Sequence, residues 1–174
     1  EVLASEGGHV DFAPADEEQI GLLRFLMARH GHVSYERVLS GSGLVAILDY
    51  LAQSAPVSPA LAEAMRAGDA AAAIAAAALQ EIDALAVRAL DMFLRIYGAQ
   101  AGNLALTAWA QGVVYVAGGI AAKILPRLQR GDFLRAFRDK GRYREALSAF
   151  PLHVVTNPRV GLAGSVVVAA RLGG

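Results

Sequence analysis

The sequence predicts a helix-rich α/β domain. Most of the chain carries apolar residues at helical spacing, whereas residues 113–117 and 152–156 are runs of residues that favour β-strands. Amphipathic segments lie between these two runs. We therefore expect the two runs to contribute strands to one sheet, with many helices flanking it.

The composition indicates a globular domain with balanced charge. Hydrophobic residues make up 55% of the 174 residues and charged residues 18%, which excludes a disordered chain. Sixteen basic and sixteen acidic side chains cancel, so the net charge does not favour nucleic acid or an anionic membrane as a partner. The absence of cysteine excludes disulfides and cysteine-ligated zinc.

No segment has the pattern of a targeting or membrane-spanning sequence. The most apolar long run, residues 70–79, is mostly alanine and is shorter than the ~20 residues that a bilayer requires. The N-terminal region lacks the basic and apolar parts of a signal peptide. We therefore expect a soluble cytoplasmic domain. Because the chain starts at Glu1 and not at methionine, we also expect it to be a piece of a longer protein.

Helix caps divide the first third of the chain. Asp16 and Gly31 mark the predicted start and end of a first helix. Ser34 is expected to cap a short helix that ends at Gly41. A further helix is then predicted over residues 43–53, followed by a loop rich in proline and serine.

The next segment is very rich in alanine, which is the best helix former. One helix is expected to end at Gly68, where Asp69 can cap another. A long amphipathic helix is predicted over residues 79–97. The last element, residues 160–172, is apolar over most of its circumference, so we expect another surface to cover it.

A glycine pair, Gly118 and Gly119, follows the first predicted strand and precedes a helix expected to start near residue 121. Glycines let a backbone approach a ligand closely, and a helix N-terminus presents free N–H groups and a partial positive charge. This arrangement is common in nucleotide-binding proteins, but it is also an ordinary tight turn. The patterns GxGxxG and GxxxxGK[ST] do not occur, so the dinucleotide fold and the P-loop have no support.

Polar residues cluster in the opening stretch SEGGHVDFAP. Two glycines separate Glu6 from His9, which predicts a loop. A carboxylate accepts hydrogen bonds and a neutral imidazole both donates and accepts, so the pair could hold vicinal hydroxyl groups. The pair could also bind a metal, act as general acid and base, or have a structural role only. His30 and His32 form an H-x-H pair without a third ligand at regular spacing, so we assign no metal site there.

Five motifs follow one another along the chain: SEGGHVDFAP, HVSYERVLSGSGL, AGNLAL, VYVAGGI and NPRVGLAGS. Together they resemble the C-terminal part of the bacterial ATP-dependent glucokinases, within the superfamily of hexokinase and actin. The resemblance covers nearly the whole chain. It implies that residues 1–159 form an incomplete actin-like (ribonuclease H-like) large domain. It also implies that residues 160–174 form a helix that packs on a small domain absent from this chain.

The resemblance implies roles for particular residues. Glu6 and His9, in the EGGH motif, would bind glucose hydroxyls, and so would Glu36, in the ERVLSG motif. Gly118 and Gly119 would belong to the adenosine-binding segment. Without the resemblance, Glu36 is most simply a surface acid before a helix C-cap.

Other parts that the resemblance implies have no counterpart in the sequence. These are a phosphate loop of DxGGT type, a catalytic aspartate in an N-D pair and a second Gly-Thr loop. The chain would therefore contribute no catalytic residue to a glycolytic enzyme that transfers the γ-phosphate of ATP, bound with Mg²⁺, to the 6-hydroxyl of glucose. We expect the parent to be a homodimer and the chain alone to be inactive. The alternative is a non-catalytic sugar-sensing or regulatory domain.

Overall fold

The computed structural model describes residues 4–173, so the predicted domain limits at residues 1 and 174 lie outside it. Helices predominate, and two short strands form a parallel sheet. The helices are α1 (Glu17–His30), α2 (Gly41–Leu51), α3 (Pro59–Ala67), α4 (Ala70–Leu79), α5 (Ala84–Ala108), α6 (Gly119–Lys123), α7 (Leu125–Leu128), α8 (Asp132–Arg138), α9 (Arg144–Ala149) and α10 (Val160–Leu172). The strands are β1 (Val114–Val116) and β2 (Leu152–Val154).

Single turns of 3-10 helix occur at Gly7–His9, here called the opening turn, at Tyr35–Arg37, here called the second turn, and at Gly141–Tyr143. The predicted short helix after Ser34 is thus only the second turn, and the Ser34 side chain makes no capping hydrogen bond. Ser40 caps the next helix, α2, because its hydroxyl accepts the N–H of Gly43 at 3.0 Å. As a result α2 begins two residues before the predicted position.

The predicted boundaries at Asp16, Gly31 and Asp69 are confirmed, whereas α2 ends at Leu51, two residues before the predicted end. Asp16 accepts the N–H of Gln19 at 2.8 Å and starts α1, while Gly31 ends that helix with a φ of 69°. Asp69 accepts the N–H of Ala72 at 3.1 Å and starts α4. These caps act within three or four residues, which is why the sequence reveals them.

The long helix predicted over residues 79–97 is wrong in its position. Leu79 ends α4, and Glu81 adopts a left-handed conformation with a φ of 56°. Asp83 then starts α5 by accepting the N–H of Ala86 at 2.9 Å. Ile82, which lies within the predicted range, is outside both helices and is 73% exposed. The predicted start of the long helix is therefore a break between two helices, α4 and α5.

Helix α5 is the central element of the core and packs against α2, α4 and α8. Its contact with α8 is the closest, because Gly98 and Gly102 face the backbone of α8. A Cβ atom at Gly98 would overlap the carbonyl oxygen of Phe133, and one at Gly102 would overlap that of Phe137. The side chains of both phenylalanines are fully buried. Glycines four residues apart therefore allow the two helices to touch directly.

The sheet confirms the α/β prediction, with strands slightly shorter than expected. β1 pairs with β2 in parallel, with Tyr115 opposite His153. The N–H of Val114 donates to the carbonyl of Pro151, and the carbonyl of Val116 accepts the N–H of Val155, both at 2.8 Å. Because backbone groups alternate along a strand, those of Tyr115 point to the opposite edge of β1. No strand within residues 4–173 pairs with that edge.

Helix α10 is exposed on all sides from Val160 to Arg171. This confirms the predicted helix at the end of the chain. Within the described range, no single helix is both long and apolar enough to cross a membrane. Helices α4 and α5 meet the requirements of length and hydropathy only in combination, and they are bent by 100° relative to each other.

Candidate functional site

Backbone pairing brings the opening turn and the second turn together. The N–H of Phe12 donates to the carbonyl of Val33 at 2.9 Å, and the N–H of Tyr35 donates to the carbonyl of Val10 at 3.1 Å. The opening turn directly precedes this antiparallel pair of segments, and the second turn directly follows it. Because the segments run in opposite directions, both turns lie at the same end and contact each other.

The three side chains predicted to bind sugar converge at this end. The Nε2 atom of His9 lies 3.9 Å from the Oε2 atom of Glu6. The Oε2 atom of Glu36 lies 3.8 Å from the position that a Cβ atom would take on Gly8, between those two residues in the sequence. All three side chains are exposed to solvent. Two carboxylates and an imidazole, all free to face a ligand, can together accept and donate several hydrogen bonds to hydroxyl groups.

A glycine in α2 allows the second turn to take this position. A Cβ atom at Gly43 would overlap the backbone of Val38, which follows the turn. Without a side chain at Gly43, the first turn of α2 packs against Val38. The sequence contains the glycine, but only the fold shows that another segment of backbone approaches it so closely.

His32, the second histidine of the H-x-H pair, contacts an aspartate near this site. The Nε2 atom of His32 lies 2.7 Å from the Oδ1 atom of Asp11, so this imidazole links the segment after α1 to the segment after the opening turn. Among the residues that the structure describes, no group of three or more His, Asp or Glu side chains is close enough to hold a metal ion.

Gly118 and Gly119 lie directly after β1, at its C-terminal end. Gly118 has a φ of 112° and precedes α6, which begins at Gly119, two residues earlier than predicted. A Cβ atom on either glycine would meet nothing within 4 Å, so both face open space. Ligands of open α/β sheets bind beyond the C-terminal ends of the strands. The pair is therefore placed where a ligand can approach the backbone.

A cavity of about 160 Å³ lies beside the glycine pair. Its walls are mainly apolar, with Leu44, Phe93 and Ile120 among them. Ser40, Asp69 and Lys123 contribute polar atoms. No local sequence pattern predicts this cavity, because its lining comes from four helices that are far apart in the chain. The one local indication of the cavity is the position of Ile120, which directly follows the glycine pair.

The cavity and the sugar-binding candidates are connected by a short segment. Glu36 lies four residues before Ser40, which caps α2 and lines the cavity. The two candidate sites are therefore close along the chain at the N-terminal end of α2. This arrangement can hold a polyol on one side of the segment and a flat apolar group on the other.

A partly buried ion pair anchors the helix that follows α6. Arg127, in α7, donates hydrogen bonds of 2.7 Å from Nε and Nη2 to the two carboxylate oxygens of Asp91 in α5. Its Nη1 group donates to Glu81 at 2.8 Å. The hydrogen bonds that Arg127 donates to Asp91 raise the pKa of Arg127 above its usual range, although burial opposes this. Arg130 and Arg127 lower the pKa of Glu81.

Comparison with known sequences identifies similar proteins along the whole chain. A sequence model of one protein family, described as Glucokinase, matches residues 1–172. The glucokinase of Nostoc sp. strain PCC 7120 is 46% identical over 187 residues, which cover 99% of this chain and 55% of that protein. The glucokinase of Synechocystis sp. strain PCC 6803 is 41% identical over 185 residues, covering 98% of this chain and 52% of that protein. The chain thus spans about half the length of the curated relatives that it matches.

Two solved structures are also similar. The crystal structure of a glucokinase from an Antarctic psychrotroph has a TM-score of 0.79 and 30% identity, and the match covers 95% of this chain and 49% of that one. The glucokinase of Balamuthia mandrillaris, solved in complex with glucose, has a TM-score of 0.77 and 23% identity, with 91% of this chain and 44% of that one covered. These similarities confirm the predicted fold, a helix-rich and incomplete α/β domain of the actin-like type.

Proposed function

Because the chain belongs to the glucokinase family, we propose that it forms the sugar-binding and adenosine-binding part of a kinase that phosphorylates glucose. The full-length enzyme transfers the γ-phosphoryl group of ATP to the 6-hydroxyl of glucose. In this proposal the catalytic aspartate and the phosphate loops belong to a part of the enzyme outside these 174 residues. The names of the relatives at 41–46% identity support glucose as the substrate.

The convergence of Glu6, His9 and Glu36 is the observation that carries the proposal. The opening turn brings Glu6 and His9 to within 3.9 Å of each other, and the second turn adds the Glu36 carboxylate beside Gly8. Hexoses present hydroxyl groups on neighbouring carbons, each of which can donate and accept. Carboxylates accept from such groups, and charge-assisted hydrogen bonds are roughly twice as strong as neutral ones.

The chain's contribution to catalysis is positioning. Phosphoryl transfer depends mainly on alignment of the nucleophile with the phosphate and on stabilisation of charge. Glu6, His9 and Glu36 would hold the sugar ring so that its 6-hydroxyl group faces the phosphate. Mg²⁺ enters as the partner of the nucleotide phosphates, and we assign no residue of this chain to it.

The nucleotide part of the proposal rests on Gly118, Gly119 and the neighbouring cavity. Both glycines face open space at the end of β1, so the sugar of a nucleoside can approach the backbone there. The cavity of about 160 Å³, which is lined mainly by apolar side chains, can accept a flat base. Ser40, Asp69 and Lys123 offer it polar contacts.

The proposal also includes features that rest on the family alone. These are action in glycolysis, a cytoplasmic location and a homodimer. Residues 1–159 would be the portion of the large domain, and α10 would pack on the small domain.

Steady-state kinetics of the full-length enzyme test the sugar site. Replacing Glu36 with Gln removes the charge and keeps the shape of the side chain. A hydrogen bond to a charged group contributes about 1.5–3 kcal/mol, so the KM for glucose should rise by about tenfold or more. Glu63→Gln, at an exposed position of α3, is the matched control and should leave KM unchanged. A wild-type KM for glucose in Glu36→Gln would contradict the proposed site.

Titration calorimetry separates the kinase from the alternative. The full-length protein is titrated with glucose and, separately, with a non-hydrolysable ATP analogue. Binding of both ligands is the expected result. Sugar binding without nucleotide binding would contradict the kinase and indicate a sugar-sensing domain.

A further inference from the structure

Asn103 belongs to the AGNLAL motif, to which the proposed function gives no role. It lies in the last third of α5, on the face directed at the second turn. Its Nδ2 group donates to the hydroxyl oxygen of Tyr35 at 3.2 Å and to the Oε1 atom of Gln100 at 3.2 Å. Gln100 and Tyr35 are both buried. The side chain of Asn103 therefore links the core of the domain to the first residue of the second turn.

Tyr35 is held firmly on its other sides. Only 4% of its surface is exposed, and its ring packs edge-on against Phe12 at a centroid distance of 5.7 Å. Burial raises the pKa of its hydroxyl group, so the group remains neutral and can keep its hydrogen bond. The backbone of Ala13 is a second polar partner of this hydroxyl group besides Asn103. A buried hydroxyl that loses a partner costs free energy, so the fold favours the position in which Asn103 reaches it.

The position of Tyr35 determines that of Glu36. The two residues are adjacent in one 3-10 turn, which is closed when the N–H of Val38 donates to the carbonyl of Tyr35 at 3.0 Å. In such a short turn, a shift of one residue moves the next. The direction of the Glu36 carboxylate therefore depends on how the Tyr35 ring is anchored.

The residue after Asn103 lies near the opening turn. The Cδ2 atom of Leu104 lies 3.9 Å from the position that a Cβ atom would take on Gly7. The end of α5 therefore contacts the second turn through the hydrogen bond of Asn103 and lies near the opening turn at Leu104.

We propose that Asn103 is a positioning residue for sugar binding, which holds Tyr35 and thereby directs the Glu36 carboxylate towards Glu6 and His9. It does not itself touch the sugar. This inference rests on the proposed function, because it assumes that Glu36 binds the substrate. It gives the AGNLAL motif a role in substrate affinity in addition to its place in the core.

The test compares two variants of the full-length enzyme. Asn103→Leu keeps the size of the side chain and removes its hydrogen bonds, and Tyr35→Phe removes only the hydroxyl group. Each variant should raise the KM for glucose about tenfold and leave the KM for ATP within about twofold of wild type. The double variant should be no worse than the more affected single variant, because both remove the same interaction.

Two further variants serve as controls. Thr107→Val removes a hydroxyl group one turn further along α5, where it donates only to the backbone carbonyl of Asn103 at 2.9 Å, and should change neither KM. Asn103→Asp should restore most of the affinity for glucose, because a carboxylate accepts a hydrogen bond from the Tyr35 hydroxyl group. If the role of Asn103 were only to stabilise the fold, Asn103→Leu would lower the thermal midpoint without separating the two KM values.

The outcomes distinguish this inference from the proposed function. If Glu36→Gln raises the KM for glucose while Asn103→Leu and Tyr35→Phe do not, the positioning role is overturned and the sugar site stands. If Glu36→Gln also leaves that KM unchanged, the sugar site itself fails. Should Asn103→Leu not fold, Tyr35→Phe decides alone, since it retains the ring that fills the core.

Discussion

At the scale of single residues, Asp83 shows how one side chain both caps a helix and responds to pH. Its carboxylate is buried at the start of α5, where it accepts the N–H of Ala86. Burial alone would raise the pKa of Asp83. Hydrogen bonds from the hydroxyl of Ser58 and from the backbone N–H groups of Ala86 and Leu85 outweigh burial, so the pKa is lowered.

We expect Asp83→Ala to lower the free energy of unfolding by about 1 kcal/mol at neutral pH, the usual effect of losing an N-cap. A folded pKa below the unfolded value of about 3.9 means that the charged carboxylate stabilises the fold above that pH. Its contribution is lost as the pH falls through the folded pKa. Urea unfolding at a series of pH values should therefore show the difference from wild type shrinking in acid. A difference that stays constant into strong acid would contradict this account.

At the scale of elements, the contact between α5 and α8 depends on glycine. The backbone of α8 occupies the space that a side chain at Gly98 would need. The helix periodicity of the sequence does not reveal this contact, because it identifies apolar faces and not the distance between two helices. For the same reason the sequence does not reveal that Gly43 packs against the backbone of Val38, after the second turn.

Gly98→Ala should lower the free energy of unfolding by about 1–3 kcal/mol, because the added methyl group forces the two backbones apart. Gly161→Ala in α10 is the matched control, since a Cβ atom there meets nothing within 4 Å. Alanine is the better helix former, so the control should be neutral or slightly stabilising. Thermal unfolding of both variants measures the contrast, and equal effects would argue against direct helix contact.

The attachment of α7 to α5 gives a second prediction at this scale. Arg127→Ala removes the hydrogen bonds to the partly buried carboxylate of Asp91 and should cost about 2 kcal/mol. Arg144→Ala breaks the exposed ion pair with Asp139, in which both side chains are 66% exposed, and should cost less than about 1 kcal/mol. Denaturant unfolding compares the two. If both variants lose equally little free energy of unfolding, the ion pair between Arg127 and Asp91 does not anchor α7.

At the scale of the whole molecule, two surfaces lack a partner within residues 4–173. Helix α10 exposes Leu162, Val166 and Val167, and one edge of β1 has no neighbouring strand. Exposed apolar faces and open strand edges favour association with another chain or domain. We therefore expect the 174-residue chain by itself to self-associate.

Light scattering at increasing concentration measures this, with 18.2 kDa as the mass of the monomer. Val167→Lys should reduce association if α10 takes part, whereas Arg171→Lys, near the end of the same helix, should not. A clean monomer at high concentration would count against the prediction.

The activity of the isolated chain is a separate prediction. A coupled assay with glucose and ATP should detect no turnover, because the sequence lacks the N-D pair and both phosphate loops that the family resemblance implies. ATP-dependent phosphorylation at rates comparable to those of the full-length enzyme would overturn this prediction.

Local residue patterns were sufficient to predict the helix starts at Asp16 and Asp69, both strands and the family. Caps and hydrophobic periods act over a few residues, so a local pattern is enough to predict them. The order of the motifs also identified Glu6, His9 and Glu36 as candidates, although their binding roles remain a prediction.

The three-dimensional fold was needed to show which distant residues meet. It placed the Glu36 carboxylate beside the opening turn, brought Asn103 to Tyr35 across 68 positions of sequence and left no space for a side chain at Gly98. These contacts arise from the packing of α5 against several other elements. Their free energy depends on distances between segments far apart in the chain, which a local pattern of residue types does not contain.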